Sequence, residues 1–185
     1  EVNAIDRSST PIRVETSRGT LRARSVILTV STNILASGKI RFTPALPDAV
    51  REAAAHCPTG VAEKVAFLLD APVEGFDDTA YIDTMTPGDP ARAPINFVIN
   101  HFSQPVIVGQ LCGETARELE AAGEPAMVDF GLAALKDVFG SGIGARIRRA
   151  TATRWTSDPH ILGAYSCALS GHADARAALR APIDG

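Results

Sequence analysis

Residues 2–5 and 12–16 alternate between apolar and polar side chains, the two-residue period of strands with one buried face. The polar residues 6–10 between them read as a turn. Ser17, Arg18 and Gly19 predict a tight turn in which Gly19 can take positive φ, and residues 20–30 resume as a strand. Its second half, 25–30, is almost continuously apolar, the pattern of a strand buried on both faces. The opening segment therefore reads as a hairpin or meander that feeds a buried strand.

A helical turn is expected over 32–37, ending at Gly38, then a short extended piece over 39–42. Pro47 suits the first position of a helix over 48–56. Strands follow at 61–70, 80–85, 95–101 and 105–112. Residues 113–121 predict a short charged helix. Residues 125–139 predict an amphipathic one, with Val128, Leu132, Leu135 and Phe139 at helical spacing. The glycines of 140–144 break it, 145–155 reads as a strand, 156–162 as a loop and 173–179 as a last helix. This order implies an α+β fold, a mixed β-sheet with helices, the helix over 125–139 lying across the sheet.

Composition narrows the function classes. The chain has 185 residues, of which 45% are hydrophobic, enough for a packed core. No apolar run approaches the length of a membrane helix, so no membrane partner is expected. The net charge of −3 argues against nucleic acid, and the cluster Arg146, Arg148, Arg149 and Arg154 fits a strand with solvated arginines. Cys57, Cys112 and Cys167 are odd in number and widely spaced. They read as free thiols in a reducing, cytoplasmic compartment, and no metal is expected. His56, His101, His160 and His172 are read as isolated surface or loop residues. The richness in Ala and Arg suggests a bacterial source with GC-rich coding. Glu1 opens directly into strand-like sequence, so the start reads as a cut.

Three stretches, in order, resemble the flavin-containing amine oxidase superfamily, which includes monoamine, polyamine and L-amino acid oxidases and lysine-specific histone demethylases. The first runs from Val2 to Pro47 and contains IRVETSRGTLRARSVILTV and the turn IRFTPALP. The second is GVAEKVAFLL at 60–69. The third is RWTSDPHILGAYS at 154–166, similar to W-x-x-D-P-x-x-x-G-x-Y-S. Between them VIVGQLCGETARELE and VDFGLAALKDVFG resemble the strand and helix pair of the family's substrate domain. Ser31 stands where the family usually has proline.

The resemblance implies an internal piece of such an enzyme. Residues 1–35 would belong to the FAD-binding domain, 36–153 to the substrate-binding domain, and 154–185 would return toward the FAD-binding domain. The glycine fingerprint for the cofactor would precede Glu1 and a second FAD segment would follow Gly185. The partners implied are a small-molecule amine and those missing FAD-domain segments, with a homodimer expected from the apolar surface left uncovered. The cofactor implied is FAD in the complete protein, not retained by this chain alone.

The same resemblance implies roles for four residues. Lys64 would hold a water at the flavin and assist reaction with oxygen, because a cation stabilises negative charge developing there. Tyr165 would be one wall of an aromatic cage that guides the amine. Trp155 would pack beside the flavin ring, and the backbone of Val2 would contact the adenine side. From the residues alone, Lys64 reads as a strand's solvent-facing lysine, with Ala62, Ala66 and Leu68 on its face and Val61, Val65, Phe67 and Leu69 on the other, and the resemblance is what reverses that reading. Tyr165 reads equally as a core tyrosine, and Trp155 as an anchor at a domain junction. Two alternatives stand beside the amine oxidase: a related flavoprotein acting on a non-amine, as desaturases and protoporphyrinogen oxidase do, and a non-catalytic binding module that keeps the substrate-domain fold.

Overall fold

The computed structural model describes residues 1–84 and 93–183. They form two compact units, one of Glu1–Gly60 with Asp158–Gly185 and the other of Val61–Ser157.

In the first unit, β1 (Val2–Asp6) pairs antiparallel with β2 (Ile12–Thr16), and β2 antiparallel with β3 (Gly19–Ala23). After the short helix α1 (Thr32–Ala36), β4 (Arg41–Thr43) joins the other edge of β1 in parallel, giving the order β3-β2-β1-β4. Ile5, Val14, Ile34 and Ile40 form the small core. The Ser31 hydroxyl caps α1 by accepting the Ile34 N–H, and it donates to the Ile161 carbonyl, two bonds a proline there could not make. Helix α2 (Asp48–His56) packs on α1 and on α6 (Ala175–Arg180). Residues 36–60, grouped in sequence with the substrate domain, thus pack here, and the compact units part at 60/61.

One expectation fails in this unit. The strand predicted over 20–30 stops at Ala23, and 25–30 is neither a strand nor buried on both faces: Ile27 is 88% exposed. The run pairs with no strand of the described sheets, although Val26 and Val30 pack against the small core. The histidines also differ from expectation, since His56 and His172 are stacked with ring centroids 3.6 Å apart.

The second unit is a five-stranded sheet in the order β6-β7-β8-β5-β9, antiparallel throughout. Its strands are β5 (Ala62–Leu69), β6 (Ala80–Thr84), β7 (Ile95–Ile99), β8 (Val106–Cys112) and β9 (Ile147–Ala152). The parallel pairing that makes the fold mixed lies instead in the smaller sheet. Met85, expected to close β6, lies outside the described residues. Helices α3 (Gly113–Ala122) and α4 (Glu124–Phe139) pack against β5, and a single turn, α5 (Ile143–Arg146), leads into β9.

The strand period divides this sheet cleanly. Val65, Phe67, Phe97, Ile99, Ile107 and Leu111 point to the helices and are fully or almost fully buried, joined by Met127 and Leu135 of α4. Helix α4 comes close because Gly131 faces β5: a β-carbon there would lie 2.7 Å from Val65 Cγ1 and 3.0 Å from Phe67 Cζ. Lys64 projects from the other face of the sheet, with Ala66, Val98 and Val108.

Candidate functional site

Two rows of residues cross the open face of the five-stranded sheet. The register aligns Thr151, Ala66, Val108, Val98 and Tyr81 in one row and Lys64, Gln110, Asn96 and Asp83 in the next. Small side chains at Ala66, Val108 and Val98 leave a hollow of about 460 Å³, lined also by Lys64, Gln110, Tyr81, His101 and Thr153. It is a shallow bowl of mostly aliphatic floor, with an ammonium group at one side and an imidazole at another.

Lys64 is half-buried, and its Nζ lies 5.5 Å from the centre of the Trp155 ring. That is within the range of a cation–π contact, of order 0.5–2 kcal/mol depending on desolvation. Among the described residues no carboxylate lies within ion-pair distance of this ammonium. Nδ1 of His101 is buried without a hydrogen-bond partner. The Lys64 ammonium beside an aliphatic floor suits a ligand with a hydrogen-bonding edge.

The turn bearing Trp155 is built from backbone upward. Thr153 N–H donates to the Lys64 carbonyl (2.8 Å), and Lys64 N–H donates to Thr153 Oγ1 (2.8 Å). Beyond this, the chain leaves β9 and gathers on a carboxylate that sequence reasoning did not single out. Glu63 is 0% exposed. It accepts hydrogen bonds from Thr153 Oγ1 (2.6 Å), Trp155 N–H (3.0 Å), Thr156 N–H (3.0 Å) and Thr156 Oγ1 (3.0 Å). A charged residue in the buried register of β5, beside Val65 and Phe67, was the available signal.

Tyr165 belongs to the first unit. Its side chain is 65% exposed, whereas its backbone is fixed: its carbonyl accepts Gly60 N–H at 2.9 Å, and Ala164 N–H donates to the Gly60 carbonyl at 2.9 Å. The Asp-Pro and Gly of the motif serve this turn. Asp158 Oδ1 accepts His160 N–H, its carbonyl accepts Leu162 N–H, and Leu162 (φ 58°) and Gly163 (φ +127°) reverse the chain. Val2 lies in β1, half-buried against the small core. The structure thus brings Lys64 and Trp155 together within one unit and carries Tyr165 and Val2 in the other.

Four surface carboxylates are held below their usual range. Asp70 is lowered chiefly by the hydrogen bond from Arg146, Glu124 by that from Thr151, Asp6 by Ser8 and Asp78 by Thr79. Arg146 and Arg148, expected as solvated arginines, pair with Asp70 at the surface. The three cysteines are free, Cys57 buried and the other two exposed. No cluster of metal-ligating side chains and no helix long and apolar enough to cross a membrane occurs among the described residues.

Polyamine oxidase 4 of Oryza sativa subsp. japonica is 29% identical over 185 residues, covering 99% of this chain and 37% of its own length. Lysine-specific histone demethylase 1 homolog 3 of Arabidopsis thaliana is 27% identical, covering 92% of this chain and 11% of its own. Among solved structures, cyclohexylamine oxidase from Brevibacterium oxydans IH-35A shares the fold with a TM-score of 0.69 at 23% identity, over 99% of this chain and 40% of that one. The chain therefore spans well under half the length of these relatives. The family model described as flavin containing amine oxidoreductase matches residues 1–185, and the chain belongs to that family.

Proposed function

We propose that this chain is part of an FAD-dependent oxidase that converts a primary or secondary amine, or an amino acid, to an imine, with dioxygen as electron acceptor. The observation that carries the reading is the pair on the open sheet face: the Lys64 ammonium 5.5 Å from the Trp155 ring, above an aliphatic hollow. Family membership supports the same chemistry. Here Val61–Ser157 acts as the substrate-binding unit, and the β1–β4 sheet belongs to the cofactor-binding part.

When bound, FAD supplies the hydride-accepting chemistry. The protein's residues supply position, dryness and charge. Lys64 presents a cation, and a proton at Nζ, where negative charge develops on oxygen, and holds a water there. Trp155 excludes bulk water from that side and fixes the lysine by its ring face. The Tyr165 ring orients the amine, and the backbone of Val2 meets the adenine end. Ala66, Val98 and Val108 give an apolar floor that favours the uncharged amine, the form that can lose hydride from its α-carbon.

Peroxide release by the complete protein tests this reading with a panel of a polyamine, a cyclic monoamine and an amino acid. The expected outcome is peroxide from at least one amine, abolished when oxygen is removed. Bound flavin with no amine turnover, and turnover of a non-amine instead, would replace the reading by the desaturase-like alternative. Absence of flavin from the complete protein would favour the binding module.

A further inference from the structure

A fully buried carboxylate stays charged only where hydrogen-bond donors replace the water it has lost. Glu63 has four such donors, all neutral, and three of them come from two consecutive positions in the turn after β9, Trp155 and Thr156. The flanks of that turn are held by other glutamates at exposed sites. Glu124 Oε1 accepts Thr151 Oγ1 and Ala152 N–H, and Glu120 Oε1 accepts Ser157 N–H and Ser157 Oγ1. Three carboxylates therefore hold residues 151–157 in succession. The one without any exposure takes the centre, where Trp155 stands.

Neighbouring residues on a strand point to opposite faces. Glu63 reaches the backbone of Trp155 from the helix-covered side of the sheet, while Lys64 meets its ring on the open side. Thr153 joins the two, accepting Lys64 N–H and donating to Glu63. A single dipeptide of β5 thus grips the tryptophan at both its backbone and its ring.

We propose that Glu63 is a positioning residue: its buried carboxylate, by gathering the N–H groups of Trp155 and Thr156 and the hydroxyls of Thr153 and Thr156, sets the Trp155 ring against the Lys64 ammonium. The catalytic consequence rests on the proposed roles of Lys64 and Trp155 beside the flavin; the placement itself does not. A glutamine in its place offers one acceptor oxygen and turns an NH₂ toward donors. An alanine leaves two backbone N–H groups without a partner.

Trp155 is the only tryptophan of the chain, so its emission reads the placement directly. In the full chain, Glu63→Gln is expected to red-shift the emission maximum and raise acrylamide quenching about twofold or more, as the turn opens locally. Glu120→Gln, at the exposed flank, leaves both near wild type. Thr156→Val removes one donor to Glu63, keeps the side-chain volume and shifts emission in the same direction. It decides the matter if Glu63→Gln does not fold. A folded Glu63→Gln chain, by circular dichroism, with wild-type emission and quenching overturns the proposal. In the complete flavoenzyme, Glu63→Gln is expected to slow the oxygen-dependent half-reaction relative to the anaerobic one, in parallel with Lys64→Met and without raising the KM for the amine. Altered emission with an unaltered ratio of half-reactions upholds the positioning role and refutes the flavin-side reading of Lys64 and Trp155.

Discussion

Gly163 packs against Thr59 so closely that a β-carbon on the glycine would fall 2.7 Å from Thr59 Cβ. The threonine is fixed in turn. Its hydroxyl donates to the Leu162 carbonyl (2.6 Å), and its N–H donates to Asn33 Oδ1 (3.1 Å). Gly163→Ala therefore meets both a steric block and a φ of +127°, and the exposed Tyr165 two residues on depends on this turn. Gly171, at φ +83° with open space around it, isolates the backbone term alone. Gly171→Ala is expected to cost about 1 kcal/mol and Gly163→Ala at least about 2 kcal/mol. Denaturant midpoints of the two variants check the order, and equal midpoints would contradict it.

A second pair of glycines tests the sheet and helix contact. Gly131→Ala drives a methyl into Val65 and Phe67, and Gly109→Ala drives one into Ile95, Phe97 and Val65. Each should destabilise by about 1–3 kcal/mol, because the β5 core has no room to yield. Gly142→Ala, which meets nothing, should stay within about 0.5 kcal/mol of wild type.

Lys64→Met keeps the length of the side chain and removes its charge. In the complete enzyme it should slow the oxygen-dependent half-reaction at least about tenfold more than the anaerobic one in stopped-flow, since only the former develops charge beside the ammonium. Equal slowing of both would refute the role proposed for this lysine.

The lowered carboxylates set a pH dependence. A group whose pKa falls on folding stabilises the fold above its unfolded pKa, and that contribution is lost as pH drops through the folded value. For Asp70 the cause is the Arg146 hydrogen bond at 3.1 Å, with Arg148 at 3.7 Å. Thermal midpoints should therefore fall as pH drops below about 4, the ordinary aspartate range. The fall should be shallower in Asp70→Asn. An identical slope in that variant would show that the pair contributes nothing.

The 185-residue chain on its own is expected to be colourless after purification and to gain no thermal stability from added FAD. A pyrophosphate site calls for backbone N–H groups at a glycine turn between a strand and a helix. The glycine-rich run at 140–144 follows α4 and leads through α5 into β9, the reverse order. A yellow preparation with stoichiometric flavin would contradict this.

Much of the fold was legible because it rests on local rules. The alternation of Val65, Phe67 and Leu69 identified β5 and its buried face, and the helical spacing of Leu132 and Leu135 identified α4. The run at 25–30 misled because an apolar sequence forms a strand only where a neighbouring strand supplies the ladder, and sequence does not show neighbours. Lys64 and Trp155 were singled out by resemblance, and their contact spans 91 positions of sequence that no local pattern connects. Glu63 was marked only by its place in the buried register of β5, which does not show what it binds. Here its donors lie 90 to 93 residues away.

The stretch 25–30 has a bearing on how the chain behaves in solution. It carries one arginine upstream at Arg24, no charge within, no proline, and several residues of high β-propensity, with Ile27 almost wholly in solvent. Short uncharged windows of this kind, when exposed, pair between molecules and stack into cross-β aggregates. This segment is therefore expected to limit the solubility of the chain before its global stability does. A gatekeeper charge at Ile27 should raise the concentration at which light scattering begins while leaving the unfolding midpoint where it was.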